Sequence, residues 1–132
     1  LTPDATYEQA VFQAKVEKAI RLVEKETEFL DFSIYQMRVF DGLSGKQVAE
    51  NIGMSEPTVS RRLAKVRDRI RERIREQVST FSFTREELEE AERNGLTLNP
   101  KKADDSLFDQ ALADIHRAQA ELRKQERSVG KA

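Results

Sequence analysis

The chain has 132 residues, with 23 basic and 24 acidic side chains, 5 glycines, 3 prolines and no cysteine. That length allows one core plus an appendage, and the prevalence of Ala, Leu, Glu, Lys, Arg and Gln favours helix almost everywhere. Without cysteine there is neither a disulfide framework nor a thiolate metal site, and no apolar run nears the roughly 20 residues that span a bilayer, so a cytoplasmic protein without membrane contact is predicted.

The first helix is predicted from about Tyr7 to Glu28, where Phe12, Val16, Ala19, Ile20 and Val23 recur at spacings of three and four. A break follows over 29–33. Ser33 is the expected N-cap of a second helix carrying Ile34, Met37, Val39 and Phe40, which Gly42 ends. Ser44 caps a third helix with Gln47 as its capping-box partner. Val48, Ala49 and Ile52 face inward there, and Gly53 stops it. Ser55 caps the fourth, which tolerates Pro57 in its first turn and runs to Val78. Beyond it, Phe81 and Phe83 fall in an irregular stretch. Thr84 and Glu87 form another capping box, opening an acidic helix that ends at Asn94 and Gly95. Residues 96–100 read as an extended connector. A last helix is predicted from Asp105 to Arg127, with Leu107, Phe108, Ala111, Leu112, Ile115 and Leu122 on its apolar side.

The stretch Leu43–Leu63 carries the most information. A helix-turn-helix needs a small residue where its helices cross, a turn residue that accepts positive φ, and apolar residues that lock the angle. Ala49, Gly53 and the trio Val48, Ile52 and Val59 supply these, between two N-caps. The fold class that follows is all-α. It has a helix-turn-helix core without a wing at 33–78, an N-terminal helix and linker at 1–32, and a helical extension at 79–132.

Charge is distributed to match. Residues 1–42 carry 5 basic and 8 acidic side chains, net −3; residues 43–78 carry 9 and 5, net +4; residues 79–132 carry 9 and 11, net −2. On the fourth helix, Val59, Leu63, Val66, Ile70 and Ile74 fall within an arc of about 80°. With Arg61 at 0°, Lys65 lies at about 40°, Thr58 at about 60°, Arg69 at about 80° and Arg62 at about 100°, away from that arc. One flank packs and the other is basic, as a helix in the major groove requires. From Arg61 to Arg75 there are 8 basic residues against 2 acidic ones, Asp68 and Glu72, too few to neutralise the surface from within the helix. Arg61 or Arg62 suits guanine O6/N7, and Glu56 suits cytosine N4. Lys46 and the helix starts at Ser44 and Ser55 suit phosphate oxygens. The predicted DNA-contacting set is Lys46, Ser55, Glu56, Pro57, Thr58, Ser60, Arg61, Arg62, Lys65 and Arg69.

The run from Asp41 to Glu72 resembles region four of bacterial sigma factors, especially the small extracytoplasmic-function type. The likeness rests on Gly42, Leu43, Ser44, Ala49, Glu50, Gly53, Ser55, Thr58, Val59, Arg62 and Leu63, and covers residues 30–78. It implies that the fourth helix reads a −35 promoter element in transcription initiation, with Glu56, Thr58, Arg61, Arg62 and Lys65 nearest the DNA. It also implies docking of the preceding helices, including Ile34–Phe40, on the flap of core RNA polymerase. An anti-sigma factor or other regulator is a further partner of this kind of protein. Where the family often has Pro before the second helix, this chain has Asp31 and Phe32. The first 30 residues cannot supply the polymerase-holding region two of a working sigma factor. A chain opening on Leu1 is therefore expected to be either the C-terminal part of a longer sigma factor or a free-standing relative.

Two other readings of the same residues stand beside this one. The first is a dimeric helix-turn-helix repressor or activator resembling a response-regulator output domain. The second is a protein-interaction module whose arginine face is merely solvated. No catalytic residues, metal ligands, cofactor or small-molecule substrate are predicted. Glu86, Glu87, Glu89, Glu90 and Glu92 fit the first turns of an acidic helix, and His116 stands alone among charged residues. The extension either folds back on the Phe12–Val23 helix or covers the basic face as a switch.

Overall fold

A computed structural model of the protein describes residues 3–80, 89, 93 and 105–130. Its elements in chain order are α1 (Pro3–Glu26), α2 (Phe29–Tyr35) with a π-helical turn (Gln36–Phe40) at its end, α3 (Gly45–Ile52), α4 (Glu56–Thr80) and α5 (Asp105–Gly130). The fold is all-α, and no strand occurs among the described residues. Two compact units divide the chain, one formed by residues 18–81 and the other by residues 1–17 with 82–132.

In the first unit, α1 stops where Thr27 turns back on it. The Thr27 amide and hydroxyl both donate to the Val23 carbonyl, at 3.0 and 2.7 Å. Glu28 is then extended, and α2 begins at Phe29 with the Phe32 amide donating to the Glu28 carbonyl at 3.1 Å. This corrects the expected cap at Ser33, which is an interior residue of α2. The earlier start lets one short helix turn Asp31, Phe32, Ile34 and Tyr35 inward together. At its other end the helix widens. The Asp41 amide reaches the Gln36 carbonyl at 2.9 Å, a π-type bond, and the Leu43 amide closes the turn on the Met37 carbonyl at 3.0 Å, so that the chain leaves through Gly42 at φ +76°.

The helix-turn-helix follows. Ile34, Val48, Ala49 and Val59 form its buried centre, with Leu30, Met37, Leu43, Ile52, Met54 and Leu63 packed around them. Gly53 ends α3 in the left-handed region at φ +68°, and the Met54 amide donates to the Ala49 carbonyl at 3.1 Å. That is a Schellman closure, with Met54 folding onto the same apolar cluster as Ala49. Along α4, Val59, Val66, Ile70 and Ile74 are buried and Leu63 is half-buried, so the arc read from the sequence is the packed face.

In the second unit, Phe12 and Val16 are buried on α1, and Phe108, Ala111, Leu112, Ala113 and Ile115 on α5. Leu107 and Leu122, expected on the apolar side, are exposed. Leu107 lies about 100° round the helix from Phe108, and Leu122 about two turns beyond Ile115. The buried Glu17 carboxylate of α1 meets His116 Nδ1 at 3.1 Å and accepts from Arg123 at 3.4 Å. That pairing accords with an extension folded against α1. The elements expected over 81–100, including the Thr84 capping box and all of the acidic cluster except Glu89, lie outside the described residues.

No atom lies within 4 Å of a Cβ built on Gly53. Only the backbone conformation then opposes a side chain there, at a cost of about 1–2 kcal/mol. Gly53→Ala should lower the unfolding free energy by about that amount in urea titration, with little change in slope.

Candidate nucleic-acid interface

The surface around the turn is built from two capped helix starts. Ser44 Oγ accepts from the Gln47 amide at 3.1 Å, and Gln47 Oε1 accepts from the Ser44 amide at 2.9 Å. This reciprocal box satisfies donors that an α-helix leaves open at its start. Lys46 stands exposed in that first turn. At α4, Ser55 Oγ accepts from the Thr58 amide at 3.3 Å and lies 2.9 Å from the Thr58 hydroxyl. Thr58 Oγ1 in turn accepts from Arg61 Nη2 at 3.2 Å. The chain of contacts runs from cap to guanidinium and orients Arg61 across the first turn of the helix.

Of the ten residues predicted to contact DNA, Lys46, Ser55, Glu56, Pro57, Ser60, Arg61 and Lys65 are exposed. Thr58, Arg62 and Arg69 are half-buried. Ser55, Thr58 and Arg61 are brought together, with Glu56, Pro57 and Ser60 beside them on the same two turns. Arg62 and Arg69 are placed differently, because each already holds a carboxylate from another helix.

Arg62 donates to Asp31 at 2.7 Å, and Lys65 lies 3.8 Å from the other oxygen of the same carboxylate. Asp31 is buried, with its side chain 6% exposed against 35% for Arg62 and 71% for Lys65. One helical turn further on, Arg69 donates to Glu26 at 3.2 Å, and Arg73 Nε donates to the same Glu26 oxygen at 2.9 Å. Glu72 and Glu76 complete these pairs from within α4. The Glu26 and Glu76 carboxylates hold the Arg73 guanidinium above its ordinary range, chiefly through those hydrogen bonds.

Sequence reasoning missed Asp31 and Glu26, since it sought the partners of the arginine run inside α4. One signal was present. Asp31 stands between Leu30 and Phe32, three and four residues before Ile34 and Tyr35, so it is an acid on the apolar side of a short helix. Such a residue is buried only with a cation to meet it.

Arg62→Ala would leave a buried carboxylate without its main partner, which costs about 1–3 kcal/mol. Lys65→Ala, at an exposed and longer pair, should change stability by no more than about 0.5 kcal/mol. Thermal or urea melts of the two variants check the contrast.

Among the described residues no helix is long and apolar enough to cross a membrane, and no group of three or more metal-ligating side chains is gathered. Residues 30–70 match the family described as sigma-70, region 4, from α2 into α4. No curated protein and no solved structure matches the chain. The match is at the level of the sigma-70 family and does not resolve the extracytoplasmic-function type. Region 4 is a DNA-binding domain and not a catalytic family, and its general partners are promoter DNA and core RNA polymerase. The two capped helix starts and the left-handed glycine turn fall within residues 30–70, the part of the chain that is similar to the family described as sigma-70, region 4.

Proposed function

We propose that this chain reads the −35 element of a promoter as the C-terminal domain of an alternative sigma factor and directs core RNA polymerase to start transcription there. The observation that carries this reading is the start of α4. Glu56, Pro57, Ser60 and Arg61 stand exposed on a helix whose opposite face is buried, and that is how a recognition helix enters the major groove. Arg61, oriented by Thr58, is the side chain suited to guanine O6/N7. Lys46, at the start of α3, suits a flanking phosphate and contributes affinity without sequence preference.

The polymerase contact is assigned to α2 and the π-helical turn at its end. Within Ile34–Phe40, Ile34 and Tyr35 are buried in the core and are not available to a partner. Phe29, 88% exposed at the start of α2, offers the apolar contact that a flap helix needs, with the half-buried Val39 and Phe40 in the π-helical turn at the end of the same helix.

The test is binding of this chain to bacterial core RNA polymerase with and without the flap tip, read by fluorescence anisotropy. Flap-dependent binding that weakens in Phe29→Ala is the expected result. Equal or absent binding to both forms would overturn the polymerase contact, and a palindromic DNA site bound by a stable dimer would then establish a free-standing regulator.

A further inference from the structure

The four cations Arg62, Lys65, Arg69 and Arg73 occupy one stripe of α4, at spacings of three and four residues. All four face two carboxylates, Asp31 and Glu26, which stand on either side of the turn at Thr27 and Glu28. This stripe is therefore an ionic seam between α4 and the α1–α2 corner, solvent-exposed along most of its length and enclosed at Asp31. Cations exposed near the turn outside it include Lys46 and Arg61, and Arg38, which donates to the Leu43 carbonyl at 3.3 Å.

The two carboxylates differ in burial. Glu26 is partly exposed, whereas Asp31 is almost wholly enclosed. Arg62 follows directly on Arg61, within the part of α4 that approaches the groove, and is exposed enough to swing outward if nothing holds it. We propose that Asp31 is a specificity-determining positioning residue: its carboxylate keeps Arg62 and Lys65 off the DNA backbone, so that Arg61 and the capped helix start dominate the contact. The inference rests on the DNA-binding reading above.

The physical reason is that phosphate contacts supply affinity that is blind to sequence. Each additional phosphate neutralised steepens the fall of log Kobs with log salt by about 0.9. An arginine and a lysine released beside the reading residues would raise binding to every duplex alike and dilute the discrimination made at base edges. Placing a buried acid behind them holds that share of the surface down without removing the cations that lock α2 to α4.

The experiment needs no knowledge of the promoter sequence. Binding of the full chain to a random-sequence duplex is measured across a salt series for the wild type, Asp31→Asn, Arg62→Gln and the double variant. Asp31→Asn keeps the size of the side chain and an oxygen that accepts from Arg62, and circular dichroism checks its fold. The expected result is tighter binding by Asp31→Asn at low salt, with a slope steeper by about one to two. The double variant should lose about one unit of that gain, and Arg62→Gln alone should keep the wild-type slope. An unchanged slope in Asp31→Asn would overturn the inference while leaving DNA binding intact. A drop of about one in Arg62→Gln would also overturn it, because Arg62 would then already touch phosphate, and this arm decides the matter if Asp31→Asn does not fold. A wild-type chain with no salt-dependent binding to any duplex would instead overturn the DNA-binding reading, and this inference with it.

Discussion

The start of α4 can present a polar edge to solvent only because its other edge is held by two short neighbours, α2 and α3, at once. Ile34 of α2, Val48 and Ala49 of α3 and Val59 of α4 meet in one buried cluster. Ala49 is small enough for the helices to approach, and Gly53 takes a backbone conformation that a side chain would resist. Close packing of this kind leaves little freedom in the angle between α3 and α4. Everything on the outer surface inherits its position from that cluster. Ser55 caps α4 where Met54 folds inward, and Thr58 and Arg61 follow from the cap.

Electrostatics divides the same helix into two faces of different use. Counted alone, α4 carries a large excess of positive charge. Once α1 and α2 are packed beside it, Asp31 and Glu26 take up four of those cations. Exposed pairs contribute little to stability, with a median of about 0–1 kcal/mol, so most of this seam is better understood through what it positions. The Asp31–Arg62 pair is the exception. A buried carboxylate must be met by a cation or it destabilises the fold. The burial of Asp31 therefore ties the packing of α2 to the placement of Arg62, beside the exposed start of α4.

Local signals were legible in the sequence and distant ones were not. Ser44 with Gln47, Gly53, Ser55 and the apolar arc of α4 each act within a turn or two, and each is found as read. The ion pairs Arg62–Asp31, Arg69–Glu26 and Arg73–Glu26 join residues 31, 43 and 47 apart in the chain, and Glu17–His116 joins residues 99 apart. No helical period reports such pairs. The cap assigned to Ser33 failed because serine is a good cap in general, while the actual start of α2 was set by Thr27 bonding back onto α1 and by the burial of Asp31. Leu107 and Leu122 were placed on the buried side from spacing alone, which cannot say how far along a helix its neighbours extend.

The central claim is that DNA is met by the helix starts around the turn and not by the arginine seam. Titration of isotope-labelled protein with promoter duplex, followed by amide chemical-shift changes along α3 and α4, tests it most directly. The account predicts the largest changes at Ser44–Lys46 and Ser55–Arg61, with small ones at Arg69 and Arg73. Changes concentrated from Arg69 to Arg75, with the helix starts unmoved, would contradict it.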